Sequence, residues 1–402
     1  DLWREKRFFH WDLEFPEVFV DLARRDWAEN PGFDAVIGNP PYENAWTMTR
    51  LENTSRQAIV ALNDASRLLQ GHWDLWAAFF ARALAIVRQG GTHSFIVPDA
   101  FAREKYALEV RRTLLQNTTL LELMHFEGVN VFDEVSRHCV IYVIDKSVPD
   151  ASTETRVVTP VSANKEALEV GTIKQSDWLQ SEGSQIRVNL VDPRRSRLIR
   201  EIENTSIRIG QFCYVMVGAT THSKDKVSFI KSTIVTSEPV GNAQRFFDGK
   251  NISRYDIAWD GRYLDYRRNE MYGPRVPELF ESPKVVVRDV TGPDERLLVS
   301  YDETGLYCDH LVTCVTYYEN VANARVQAEF DGFPRSEPPY PSLLYLTSIL
   351  ASRLMTWYFR EVYATGTLQG SYSHTYPQQV RALPIRRIAF TTSAAVRQAL
   401  KP

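Results

Sequence analysis

Four consecutive residues, Asn39-Pro40-Pro41-Tyr42, combine the groups needed to accept and activate an amine. Two prolines fix the backbone, so the Asn39 side-chain carbonyl and the Pro40 main-chain carbonyl are held in one geometry with little entropy left to lose. Such a pair of oxygens can accept both hydrogens of an exocyclic amine and draw its nitrogen from planar toward tetrahedral. The freed lone pair can then attack an electrophilic methyl group. No general base is needed at the start, because the gain comes from acceptors already aimed at charge developing in the transition state. Tyr42 adds an aromatic face for a planar base, a contact worth roughly 1–3 kcal/mol in single-strand binders. An amine inside a duplex reaches such a loop only when its nucleotide flips out. The bland reading is a tight turn, since Asn, Pro and Tyr are common loop residues. A strand-like run directly before the tetrapeptide favours the chemical one.

That run is Phe33–Gly38, and in an open α/β sheet ligands bind beyond the carboxyl ends of strands. Three further apolar runs rich in branched residues, His93–Val97, Leu120–Phe126 and Cys139–Ile144, also read as buried strands. Trp73–Arg88 carries Leu75, Trp76, Phe79, Phe80, Ala83, Leu84 and Val87 at helical spacing, with Gly90-Gly91 as its terminator. Arg103–Gln116, with Tyr106, Val110, Leu114 and Leu115 as its stripe, is a second predicted helix. Strand, helix, strand, helix, strand, strand is the carboxy-terminal half of a doubly wound sheet ending in a hairpin.

With 402 residues, 44% apolar and 24% charged, the chain can bury more than one core. No apolar run has the length of a membrane span and no amino-terminal stretch has a signal-peptide layout, so the expected compartment is the cytoplasm. Cys139, Cys213, Cys308 and Cys314 are widely spaced without a CxxC pair and read as neutral thiols rather than a disulfide frame or zinc site. No histidine or carboxylate spacing suits a metal. The net charge of −3 is uneven: residues 1–185 hold 19 Lys+Arg against 27 Asp+Glu, and residues 186–402 hold 28 against 23. The basic second part is a modest hint of a polyanionic partner, with random scatter as the alternative.

The stretch 151–184 turns polar and is predicted as a linker between a first domain, 1–150, and a second, 185–402. The second contains strand-like pieces such as Phe212–Val217 and Lys284–Asp289 between glycine and proline turns, then a helix over Pro341–Val362. It is predicted as mixed, mainly β.

The segment Phe8–Phe19, the run Phe33–Tyr42, Asp74-Leu75-Trp76, Gly90–Pro98 and Val131–Tyr142 together resemble, in that order, the γ-type adenine-N6 DNA methyltransferases of the Eco57I-like branch found in restriction-modification and phage-defence systems. The resemblance implies a fold: an α/β chain comprising the carboxy-terminal half of a Rossmann-like methyltransferase sheet, followed by a mixed, mainly β target-recognition domain. It implies a function as well, site-specific transfer of methyl from S-adenosyl-L-methionine to a flipped adenine of double-stranded DNA. Asn39, Pro40, Pro41 and Tyr42 take the catalytic positions. Phe132, in the loop before the last strand, takes the place of an aromatic residue that packs on the flipped base, and a core phenylalanine closing the hairpin is the equal alternative. Leu343–Phe359, Gly366–Tyr372 and Leu383-Pro384-Ile385 resemble the recognition domain's helix, glycine-bearing loop and closing signature. Thr220, Lys224, Arg267, Arg268, Gln369 and Tyr372 are the DNA-contacting residues this implies, against the default of solvated polar side chains.

The chain departs from the family where the cofactor binds. The glycine-rich first turn and the acidic residues after the second and third strands are missing, and no Gly-x-Gly occurs anywhere. The sequence, opening at Asp1, therefore reads as a fragment expected to bind S-adenosyl-L-methionine weakly or not at all by itself. A fused or associated nuclease, as in some relatives, is compatible with it. Two other functions stay open: a non-catalytic DNA-specificity subunit, and a methyltransferase acting on an RNA or protein amine. The intact tetrapeptide argues against the first, and the large second domain against a compact protein-glutamine enzyme.

Overall fold

The computed structural model describes residues 9–42, 53–62, 67–71, 73–126, 131–132, 138–160, 168–221, 230–292, 296–322, 334–363 and 374–387. The chain forms two compact units, Asp1–Ser196 and Arg197–Pro402. No helix among the described residues is long and apolar enough to cross a membrane.

The first unit is built on a six-stranded sheet of β1 (Phe33–Gly38), β2 (Val87–Pro98), β3 (Thr119–Phe126), β4 (Cys139–Asp145), β5 (Glu154–Pro160) and β6 (Leu168–Lys174), in the order β1-β2-β4-β3-β5-β6. β1 runs parallel to β2 with Gly38 opposite Phe95. β4 is antiparallel to both β2 and β3, so β3 and β4 form the expected hairpin. Helix α1 (Leu75–Ile86) connects β1 to β2 and buries Trp76, Phe80 and Ala83 against the sheet. Helix α2 (Leu108–Asn117) connects β2 to β3 and buries Val110, Leu114 and Leu115. The apolar periodicity marked these spacings, but Phe79, expected on the buried stripe, is 46% exposed and Val87 already begins β2.

Four expectations about elements change. β1 is an edge strand rather than a buried one, with Ile37 84% exposed; an apolar run does not say whether both of its edges are paired. Gly90-Gly91 does not end α1 but lies inside β2, where Gly90 takes φ +71° and the pairing with β1 slips between Phe33 and Ala35. The predicted second helix, Arg103–Gln116, starts at Leu108 instead, its first part forming a 3-10 turn over Lys105–Ala107. The predicted linker, 151–184, is folded into the first unit.

In that stretch β5 adds parallel to β3, and β6 adds antiparallel to β5. The polar composition reflects a sheet margin whose alternate residues face water. Buried side chains fasten it: Gln175 donates to Leu115 O and Thr118 O while accepting from Leu120 N. Trp178 donates to Arg187 O, and Arg111, 1% exposed, donates to Gly183 O. Gly171 lets the chain pass close to Val191, whose side chain a Cβ there would strike. Helix α3 (Pro193–Asn204) then carries the chain from one unit into the next.

The second unit is mixed and mainly β. One antiparallel sheet orders Cys213–Val217, Val312–Tyr317, Lys284–Arg288 and Val299–Asp302 side by side, and a second contains Val235–Thr236, Tyr263–Asp265, Ala243–Phe247 and Tyr307–Cys308. Phe246, Phe247, Leu264, Phe280, Val286 and Tyr307 form their common core. The predicted helix 341–362 is two helices, Leu343–Leu350 and Arg353–Val362, because Ser352 accepts from Met355 N at 3.1 Å and so starts a new helix. Pro384–Arg386 pairs antiparallel with Ser206–Arg208, tying the last described strand to the unit's beginning. None of the four cysteines is in a disulfide, and all four are buried.

Candidate active site

The loop Asn39–Tyr42 leaves the carboxyl end of β1. Gly38 lets the Phe95 ring pack close: a Cβ would stand 3.1 Å from Phe95 Cε1, so the ring would have to give by a few tenths of an ångström. Pro40 is buried and anchors the turn, whereas Asn39 and Pro41 are exposed. The Asn39 side chain has no hydrogen-bond partner among the described residues, so its carbonyl and amide are presented outward rather than spent on the turn.

Tyr42 is half-buried and its hydroxyl donates to Ile96 O in β2 at 3.1 Å. Burial pushes its pKa up from the ordinary value, and the Cys139 thiol and the Asp74 carboxyl push in the same direction, so the phenol is neutral across the working pH range. The hydroxyl is thus committed to the sheet. Phe132 approaches that ring edge-to-face, with centroids 6.5 Å apart and planes at 69°. Tyr42 and Phe132, 90 positions apart, meet because β1 and β4 flank β2. The two rings form an aromatic corner beside the loop.

Beneath the loop lies an aromatic layer. His93 packs edge-on against Phe95 at 4.4 Å and against Tyr142 at 5.4 Å. Burial lowers the His93 pKa to about 4, so this histidine is a neutral core group and not an acid or base for the loop. Cys139 and Asp74 are the neighbours that sequence reasoning had assigned no role. Asp74, 4% exposed at the amino end of α1, lies in the Asp-Leu-Trp signature, and Cys139, buried at the start of β4, lies in the Val131–Tyr142 segment.

In the second unit Thr220 is half-buried, and its backbone exchanges two hydrogen bonds with Gly273. Arg267 pairs with Asp265 at 2.7 Å and Glu270 at 3.5 Å, so its charge is already answered. Arg268 is exposed and makes no ion pair with a described residue. Lys224, Gln369 and Tyr372 lie outside the described residues.

A mixed sheet bearing this loop at a strand's carboxyl end, followed along the chain by a β-rich unit, is the architecture of a restriction-modification methylase with a specificity domain. Two parts of the chain match that class: residues 1–132 match the Eco57I restriction-modification methylase family, and residues 244–385 match the TaqI-like C-terminal specificity domain. The first match includes the whole loop and ends at Phe132. Among relatives, the type II methyltransferase M.BstVI of Geobacillus stearothermophilus is 23% identical over 296 residues, covering 67% of this chain and 51% of that protein. The type II methyltransferase M.HincII of Haemophilus influenzae is 30% identical over 117 residues, covering 28% of this chain and 22% of that protein. Among solved structures, the Type IIL restriction-modification enzyme MmeI in complex with DNA shares the fold at TM-score 0.51 and 11% identity, over 87% of this chain and 45% of that one. The chain spans about half the length of M.BstVI and of MmeI, and less of M.HincII.

Proposed function

We propose that this chain supplies the acceptor-base pocket and the recognition part of a site-specific DNA adenine-N6 methyltransferase in a restriction-modification or phage-defence system. The observation that carries the reading is the Asn39–Tyr42 loop itself: an outward-facing Asn39 carbonyl beside an aromatic corner formed by Tyr42 and Phe132. Asn39 Oδ1 and the Pro40 carbonyl accept the two hydrogens of the adenine amine, Tyr42 stacks on the flipped base, and Phe132 closes the corner. Pro41 keeps the carbonyls fixed. Arg268, Thr220, Lys224, Gln369 and Tyr372 are proposed on the DNA side, with Arg267 held back by its two carboxylates.

S-adenosyl-L-methionine, when bound, supplies the electrophilic methyl group. The residues here fit the acceptor side of that transfer and not the binding of the donor, since the chain offers no Gly-x-Gly turn for it. Double-stranded DNA is the proposed partner.

The test is modification-sensitive sequencing of genomic DNA from cells expressing the intact protein. Methylated adenine in a recurring motif is expected, and Asn39→Ala should lower the rate by on the order of 10²–10³, the usual cost of removing one preorganised acceptor or donor. Undiminished methylation in Asn39→Ala would overturn the mechanism. Modification of RNA or protein instead of DNA would overturn the substrate.

A further inference from the structure

Helix α3 reads Pro-Arg-Arg-Ser-Arg-Leu-Ile-Arg over its first eight residues, so positions 194–200 hold four arginines and no acid. Ser196 and Ile199 are buried, while Arg194, Arg195, Arg197 and Arg200 are all exposed. Residues three apart are neighbours on a helix surface, so Arg194, Arg197 and Arg200 form one ridge. The ridge is about 9 Å long at 1.5 Å per residue.

This arrangement works against its own helix. Arginines occupy the amino-terminal turn and Glu201 and Glu203 the carboxyl-terminal part, the reverse of what the helix dipole favours. Asp192 offsets part of the conflict, accepting from Arg194 N at 2.8 Å and pairing with Arg195 at 3.5 Å. The guanidinium groups of Arg194 and Arg197 make no ion pair with a described residue, whereas Arg200 and Arg195 each have a partner within the protein. Several cations of the second unit are answered by carboxylates, Lys231 by Asp309, Arg262 by Asp248 and Asp260, Lys284 by Asp302, whereas Arg268 is not. A sequence that sets local electrostatics against local structure does so where a partner completes the charge.

We infer that the Arg194–Arg197–Arg200 ridge grips the phosphate backbone of double-stranded DNA without reading its sequence. Guanidinium groups match phosphate oxygens bidentately, and the ridge length meets two to three phosphates of one strand at about 3.4 Å of axial rise each. This rests on the DNA-methyltransferase reading above but adds a contact outside both the catalytic corner and the recognition residues proposed there.

The experiment measures binding of the full chain to two duplexes of unrelated sequence across a salt series, by fluorescence anisotropy. Arg194→Gln/Arg197→Gln/Arg200→Gln should weaken both duplexes alike and flatten the slope of log K against log salt by about 2–3, near 0.9 per phosphate released. Arg197→Gln alone should flatten it by about 0.9, and the triple lysine variant should keep the wild-type slope; these two remain informative if the glutamine triple fails to fold. Unchanged slopes, or loss on one duplex only, would overturn the ridge. Equal or tighter binding of the wild type to anionic vesicles than to either duplex would overturn it as well. The two claims are separable in this assay, because binding and its salt slope are read without S-adenosyl-L-methionine and stand or fall whatever becomes of methylation.

Discussion

Replacing Tyr42 in two ways divides its ring from its hydroxyl. Tyr42→Phe deletes the bond to Ile96 O and should cost about 0.5–1.5 kcal/mol of stability, the net worth of one such bond. It keeps the face that stacks. Tyr42→Ala also removes the edge-to-face contact with Phe132, a further 0.5–1.5 kcal/mol or so by double-mutant cycles on such pairs. It removes the base stack too, worth roughly 1–3 kcal/mol, or about 5- to 150-fold in rate. Methyl transfer to a cognate duplex should therefore fall at most a few-fold in Tyr42→Phe and by one to two orders of magnitude in Tyr42→Ala. The double variant with Phe132→Ala should lose less than the sum of the singles, because each ring supports the other. The assay is kcat/KM for transfer alongside a urea midpoint for each variant. Equal losses in Tyr42→Phe and Tyr42→Ala would refute the assignment of the ring as the working surface, and additive stability losses would refute the aromatic corner.

The buried cross-strand pair Lys284–Asp302, 0% and 2% exposed at the side chains, gives a sharper stability test. Lys284→Met leaves Asp302 with only Thr304 N, Thr304 Oγ1 and Leu306 N as donors and should cost about 3–5 kcal/mol; a change in urea midpoint worth less than 1 kcal/mol would show that the charge is not truly buried. His93 and His125 titrate near pH 4 and 3 in the fold, both lowered first of all by burial, from an ordinary value of 6.5. The unfolded chain thus binds more protons than the folded one below pH 6.5. Stability is full above that pH and declines as pH falls toward 4, by about 1.4 kcal/mol per unit for each histidine. His93→Phe should roughly halve this slope in thermal or urea unfolding from pH 6.5 to 4.5, and an unchanged slope would show that His93 is already protonated in the fold.

The sequence by itself determined what depends on local pattern. Alternating and branched runs fixed β1, β3 and β4, and apolar residues at helical spacing fixed α1 and α2, because backbone geometry alone imposes those periods. It also placed Asn39–Tyr42 at the carboxyl end of a strand, and the resemblance around that loop carried the family. What only the tertiary structure decided are the pairings between residues far apart in the chain. Periodicity does not reveal that β1 is an edge, that β5 and β6 extend the sheet through a polar stretch, or that Gly90-Gly91 lies within a strand. Nor does it say that Tyr42 hands its hydroxyl to Ile96, 54 positions away, and turns its ring toward Phe132. Those contacts follow from which strands lie side by side, and strand order is set by the packing of the whole core rather than by any segment within it.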